Sequence, residues 1–353
     1  MGWCAGRTPP IPSADGHQAQ TLSMLQLHNS TRFAASMALF PNEAAIDTLY
    51  VMVKATFNIG KGLTLADEQA PPMAADVYWT EPGKSSIKYA SDMHTGKPAT
   101  DIIMLGHACV PEKKEATQLD VSLTVGQIHK AVRVFGDRQW QDGKITRPAP
   151  FRTMAMVYEK AYGGVHIANE QLADAEARNP VGRGFAGTRK PEEMNGVPLP
   201  NLEDPAQLIR EITDKPTPAG FGFCAPNWLP RASFAGTYDE AWQKTRAPYL
   251  PADFNSRFLN MASPDLIFPG YLQGGEPVTI AHMHPAGVVK FDVPQVSLIA
   301  RVKIEEREEI PEFRLETLIL EPNQHTFSMV WRATMPCDKK ALKISEVKIG
   351  LTR

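Results

Sequence analysis

Apolar side chains recur at every second position near both ends of the chain, and this period limits the fold more than any other feature. Val51, Val53, Ala55, Phe57 and Ile59 alternate with Lys54, Thr56 and Asn58. Near the carboxyl end Val296, Leu298, Ala300, Val302 and Ile304 alternate with Ser297, Arg301 and Lys303. A period of two places successive side chains on opposite faces of a strand, so both segments predict half-buried strands. Leu119, Val121, Leu123 and Val125 repeat the pattern, and Gly126-Gln127 lead into a second run carrying Val132 and Val134. Glycine first in a two-residue connection predicts a type II′ hairpin. Further strands are expected at Ile102 to Leu105, Phe313 to Leu320 and Thr326 to Trp331, the last two joined by the turn Glu321-Pro322-Asn323-Gln324. Sequential strands without strand–helix alternation predict a mainly β chain with an antiparallel, sandwich-like core.

The middle of the chain is different. Residues 148–285 hold seventeen of the thirty prolines, and proline lacks the amide donor a central strand needs. The same stretch carries Phe221, Phe223, Trp228, Phe234, Tyr238, Trp242, Phe254 and Phe258, too aromatic for a disordered linker. It predicts a long loop-rich excursion packed over the sheets, with a few short helices. Asp204-Pro205 would cap a helix carrying Leu208, Ile209 and Ile212, and Thr237 to Glu240 has capping-box spacing before Trp242. Residues 25–353 then read as one domain, β-rich over 46–147, loop-rich over 148–285 and β-rich over 286–353. Residues 1–24 read as a flexible extension or a start assigned too early.

Charge and cysteine content exclude several classes. Lysine and arginine number 37 against 39 acidic residues, a net charge of −2, with no basic excess to neutralise a phosphate backbone. Nucleic acid is not an expected partner. Apolar runs such as Leu49–Val53 reach five residues, against roughly twenty for a membrane span. Cys4, Cys109, Cys224 and Cys337 lie too far apart for a zinc ribbon or redox motif and read as free thiols in a reducing compartment. Met1 to Ser23 lacks the continuous apolar core of a secretory leader, so the expected location is the cytoplasm.

Candidate chemistry is sparse. His282-x-His284, with Glu276 nearby, would place two imidazoles on one side of a strand, but no third ligand is fixed by spacing. Asp92, His94 and Asp101 around Lys97-Pro98 offer acids, a base and a cation, or simply a polar loop entering a strand. Glu203-Asp204 and Asp253 resemble paired carboxylates only if the fold sets their separation; capping and turn roles compete. Gly163-Gly164, Gly182-x-Gly184 and Gly274-Gly275 lack the spacing of a phosphate loop. Arg183, between two glycines, would bind an anion or a backbone carbonyl. Asp137-Arg138-x-Trp140 sets a potential ion pair beside an aromatic at a strand end, a device that pins a loop or anchors an interface. No catalytic residue, cofactor or metal is expected. Trp228, Tyr238, Trp242 and Tyr249 are candidate interface anchors, with burial as the competing fate of each.

An ordered series of phrases carries a family resemblance. Val53-Lys54-Ala55-Thr56-Phe57, Gly96-Lys97-Pro98 with Thr100-Asp101, and Val134-Phe135-Gly136-Asp137-Arg138-Gln139-Trp140 open it. Tyr158-Glu159-Lys160-Ala161-Tyr162-Gly163-Gly164, Gly182-Arg183-Gly184, Leu199-Pro200-Asn201-Leu202-Glu203-Asp204-Pro205 and Pro251-Ala252-Asp253-Phe254-Asn255 follow. Over roughly residues 46 to 335 the chain resembles the bacterial family labelled domain of unknown function 2169. Ala161-Tyr162 departs from it, since a phenylalanine is expected before the paired glycines. The resemblance implies a type VI secretion effector adaptor or chaperone, encoded beside PAAR tip proteins and toxins. Such a protein would hold a toxin effector or its PAAR-containing carrier, with or without a co-chaperone, and help load it on the spike. It implies no catalytic residue. Two other readings stay open: a hydrolase or metal-dependent enzyme using carboxylates with His282, His284, His94 or His107, and a structural part of the secretion apparatus.

Overall fold

In a computed structural model describing residues 25–60 and 62–352, both β-rich ends form the sheets that their alternation predicts. The expectations for residues 1–24 and for Cys4 lie outside the described residues. In chain order the principal strands are β1 (Gln26–Asn29), β2 (Ala34–Pro41), β3 (Asp47–Asn58), β4 (Asp101–Met104), β5 (Gln118–Val125), β6 (Ile128–Phe135) and β7 (Leu202–Glu203). They continue with β8 (Pro277–Ala281), β9 (Val288–Asp292), β10 (Leu298–Ile304), β11 (Arg307–Glu309), β12 (Phe313–Glu321), β13 (Thr326–Pro336) and β14 (Ile344–Leu351).

Strands from both ends interleave in one six-stranded sheet, ordered β2-β3-β13-β12-β4, with Thr64–Leu65 against the end of β3. A five-stranded sheet follows the order β7-β6-β5-β8-β9, and a four-stranded one β1-β14-β10-β11. Pairing is antiparallel in most of these ladders, but β4 runs parallel to β12 and β1 parallel to β14. The expectation of an antiparallel core is corrected at those two pairs. Parallel neighbours need a crossover of a dozen or more residues, which strands so distant in sequence possess. The β5–β6 hairpin closes as predicted: Val125 pairs with Ile128, and Gly126 takes φ +55°.

One apolar core joins the two larger sheets and takes in Val302, Ile304 and Val347 of the four-stranded sheet. Val51, Val53, Ala55 and Phe57 of β3 meet Val121, Leu123, Val125, Val132 and Val134 in one apolar cluster, and Phe291 of β9 stacks on Phe327 of β13 at 4.8 Å. The proline-rich middle joins this cluster through Tyr158, Phe221, Phe223 and Trp228, as ordered loops packed on the sheets. Trp228 is 2% exposed and meets Tyr158 edge-on at 5.4 Å. A smaller cluster gathers Trp140, Tyr162, Phe185, Met194, Leu199 and Ile209. Trp228 and Trp140 are therefore core residues: of the two roles open to each, Trp228 takes burial rather than anchoring, and Trp140 packs inward beside the loop it holds.

Three further expectations change. β3 was expected to be half-buried, yet Tyr50, Met52 and Lys54 on its second face are as buried as the apolar row, because residues 91–97 fold over that face. The helix after Asp204-Pro205 does not form. Asp204 Oδ1 accepts from the Ala206 amide, while the buried Glu203 carboxylate takes the Ile209 amide at 2.8 Å, which holds the segment as a turn. A single α-helix, α1 (Glu240–Thr245), is found among the described residues, and its cap is Asp239 rather than Thr237. Thr237 is engaged by Asp253, which accepts from both its amide and its hydroxyl.

Candidate functional site

The second face of the six-stranded sheet carries a buried network of charges. Register places Met52 and Arg314 beside Arg332, and a bulge between Leu315 and Thr317 leaves Glu316 outside the ladder. Arg332 Nε donates to Glu316 Oε2 at 2.8 Å and Nη2 to the Asp92 carbonyl at 2.6 Å; Nη2 also lies 3.2 Å from His94 Nε2. The Lys97 amide donates to Glu316 Oε1, and Lys97 Nζ lies 2.7 Å from both Asp101 Oδ2 and Thr317 Oγ1. Asp101 accepts further bonds from Asn260 Nδ2 and the Met261 amide, tying β4 to the central loops. Sequence proximity found Lys97, Asp101, Asp92 and His94; it missed Glu316 and Arg332. Their only signal is polarity inside apolar strand runs, where a charge must find a partner to be tolerated.

The carboxylates of Glu316 and Asp101 are occupied by fixed donors, although Lys97, Glu316 and Arg332 also line a cavity of about 460 Å³. Burial raises Glu316 above the usual carboxylate range against the pull of Arg332 and Lys97. His94 is held well below the ordinary imidazole value, first by burial and then by the charges of Arg332, Lys97 and Arg231; Glu316, 3.9 Å away, does not offset them. Unfolded His94 takes up a proton near pH 6.5 and folded His94 does so only at much lower pH. The folded state thus binds fewer protons, so stability present above pH 6.5 is lost as pH falls below it. Urea denaturation is expected to show this loss at a slope of up to about 1.4 kcal/mol per pH unit. A His94→Gln variant is expected to lose that portion of the slope; an unchanged slope contradicts the assignment.

A second polar cluster gathers the Asp137-Arg138 and Gly182-Arg183-Gly184 motifs. Arg138 does not pair with Asp137 as the sequence spacing implied. It forms a buried ion pair with Glu203 and lies over the Phe135 ring at 3.6 Å, because β6 and β7 are neighbours. Asp137 instead accepts from Asn201 Nδ2 at 3.0 Å. Arg183 donates through Nε to the Glu159 carbonyl at 2.9 Å, the backbone alternative of the two foreseen for it. The glycines around it permit close chain crossing: a Cβ on Gly163 would sit 2.0 Å from the Asn179 carbonyl oxygen.

The remaining histidines and acids are distributed among separate partners. His284 Nε2 meets His325 Nδ1 at 2.8 Å, a neighbour the sequence did not indicate, whereas His282 Nδ1 contacts the Asp120 carbonyl. Glu276 accepts from the Gln273 and Gly274 amides and organises a turn. Asn323 ties the His107 carbonyl to that of Met283. Among the described residues, no group of three His, Cys, Asp or Glu is arranged to hold a metal ion.

What the central excursion offers outward is apolar and aromatic. A groove of about 440 Å³ is lined by Pro230, Phe234, Pro264, Ile267, Phe268 and Pro269, among others. Beyond Phe234 the chain builds a lobe around α1. Tyr238 and Tyr249 are 54% and 41% exposed, and Trp242 is half-buried between them in sequence. Tyr238 packs edge-on against Trp242 at 4.7 Å, and Trp242 Nε1 donates to the Tyr249 carbonyl at 2.8 Å. Arg246 pins the lobe by donating to the Leu250 and Glu43 carbonyls. Of the four candidate anchors, these three are placed where another molecule can reach them.

The family described as "Uncharacterized protein conserved in bacteria (DUF2169)" matches residues 44–332. The chain belongs to the DUF2169 family. The DUF2169 span takes in both polar clusters, the groove and the lobe, and it leaves β1, β2 and β14 outside. Comparisons with curated proteins and with solved structures gave no match. Among the described residues no helix is long and apolar enough to cross a membrane.

Proposed function

We propose that this DUF2169 chain is a non-enzymatic adaptor or chaperone of type VI secretion. In this reading it binds a toxin effector or its PAAR-containing carrier in the cytoplasm, through the lobe around α1, and helps load it on the spike. The observation that carries the docking part is the fixed exposure of Tyr238 and Tyr249 on a lobe braced by Trp242 and Arg246. Aromatic anchors dominate protein interfaces, and anchors already held in place avoid the entropy cost of ordering them on binding. The type VI part rests on the sequence resemblance alone.

Co-expression with a PAAR protein and a toxin, which this reading expects to be encoded beside the gene, tests the proposal. The expected result is a complex that survives size exclusion and weakens by about tenfold or more, roughly 1.4 kcal/mol, in a Tyr238→Ala, Tyr249→Ala double variant. Absence of a complex with either product, or full affinity in the double variant, overturns it.

A further inference from the structure

Lys160, Arg138 and Arg183 line one cavity of about 400 Å³, and Asp137 is the one carboxylate that lines it with them. The other acids nearby are engaged elsewhere. Glu203 is paired with Arg138 and capped by the Ile209 amide, and Glu159 turns both oxygens to Ser86 at 2.8 Å. Lys160 and Arg183 make no ion pair among the described residues. They share a single neutral acceptor, Asn201 Oδ1, at 3.5 and 3.3 Å. Asn201 is fully buried and its amide nitrogen is committed to Asp137 and the Phe135 carbonyl, so its oxygen is held toward the two cations. Arg138 is itself 8% exposed, and its Nε finds no partner.

We infer that this cavity binds a carboxylate ligand, held between Lys160 and Arg183. With Glu203 neutralising Arg138, the walls carry two positive charges against Asp137, an excess of one. One carboxylate group between Lys160 and Arg183 balances that excess, whereas a phosphate dianion sets both of its charges beside Asp137; the second carboxylate of a dicarboxylic acid reaches past the cation pair to solvent. Arg183 is already oriented by the Glu159 carbonyl through Nε and by Asn201 through Nη1, which leaves Nη2 and the second Nη1 hydrogen for the planar, two-oxygen contact that guanidinium makes with a carboxylate. Burial and the charge of Arg183 both hold Lys160 below its ordinary value, and a bound anion relieves that repulsion.

The carboxylate can come from a free small acid or from an acidic side chain of a docked polypeptide. The site is tested on the full chain alone, so its failure leaves the docking proposal standing. Glutarate, acetate and inorganic phosphate are titrated by calorimetry. Glutarate is expected to saturate with a dissociation constant near about 1 mM and to bind more tightly than phosphate. Lys160→Gln and Arg183→Gln are each expected to weaken glutarate by about tenfold or more. Arg183→Gln also removes a backbone bond; Lys160→Gln removes one long contact to Asn201 and serves as the variant that keeps the fold. Melting curves of both variants confirm folding. No saturable binding up to about 20 mM, or equal binding in Lys160→Gln, overturns the inference. Where glutarate binds, displacement of a preformed partner complex assigns the carboxylate to the polypeptide, and additive binding assigns it to a free acid.

Discussion

Replacing Asp101 by alanine is expected to lower folding stability by about 3–5 kcal/mol, the cost of removing one partner from a buried ion pair. Asp101 is fully buried and receives Lys97 Nζ at 2.7 Å, Asn260 Nδ2 at 2.9 Å and the Met261 amide at 2.8 Å. Truncation leaves the Lys97 ammonium buried with one remaining acceptor, Thr317 Oγ1, and strands two donors from the central excursion. The loss therefore exceeds the worth of the pair itself, because each orphaned donor pays its own desolvation. Asp101→Asn keeps the volume and one acceptor and is expected to lose less. Equilibrium urea unfolding at pH 7 is the check. A cost under about 1 kcal/mol for the alanine variant would mean that the cluster is far wetter than its burial implies.

The second large effect separates core aromatics from docking aromatics. Trp228→Ala is expected to cost about 3–5 kcal/mol, since the side chain fills the space between Tyr158 and the central loops and leaves a cavity behind. Tyr238→Ala and Tyr249→Ala, at exposed positions, are expected to change stability by about 0.5 kcal/mol or less. Thermal and denaturant unfolding of the three variants measure this contrast directly. Comparable losses at all three positions would show that the lobe is part of the core rather than a surface.

Strand positions were legible in the sequence because a one-sided strand writes its burial as a period of two. Val121, Leu123 and Val125 show this cleanly. β3 shows its limit: the alternation marks the apolar face correctly, but nothing in Tyr50, Met52 and Lys54 announces that residues 91–97 will cover the other side. Within the excursion, sequence could not rank the aromatics. Trp228 and Trp242 sit in similarly proline-rich surroundings, and only the fold decides that one lies against Tyr158 and the other on a lobe. The ion partners failed for a related reason. Lys97 and Asp101 are four residues apart and readable as a pair, whereas Glu316 and Arg332 reach the same cluster only through sheet register. Arg138 chose Glu203 over its neighbour Asp137 because β7 lies beside β6, a contact between residues 65 positions apart in the chain. Helix caps failed locally: Thr237 has cap chemistry, but its own amide and hydroxyl donate to Asp253 and Asp239 caps α1 instead; Asp204 accepts from the Ala206 amide, yet Glu203 holds the Ile209 amide and keeps the segment a turn.

The central claim is that the lobe around α1 is a docking surface for another polypeptide. Amide hydrogen exchange of the purified chain, with and without its bound carrier or toxin, tests it most directly. Protection on binding is expected to concentrate over residues 234–256, with the strands of the six-stranded sheet unchanged. Protection confined to other surfaces, with 234–256 exchanging as in the free chain, would contradict the account.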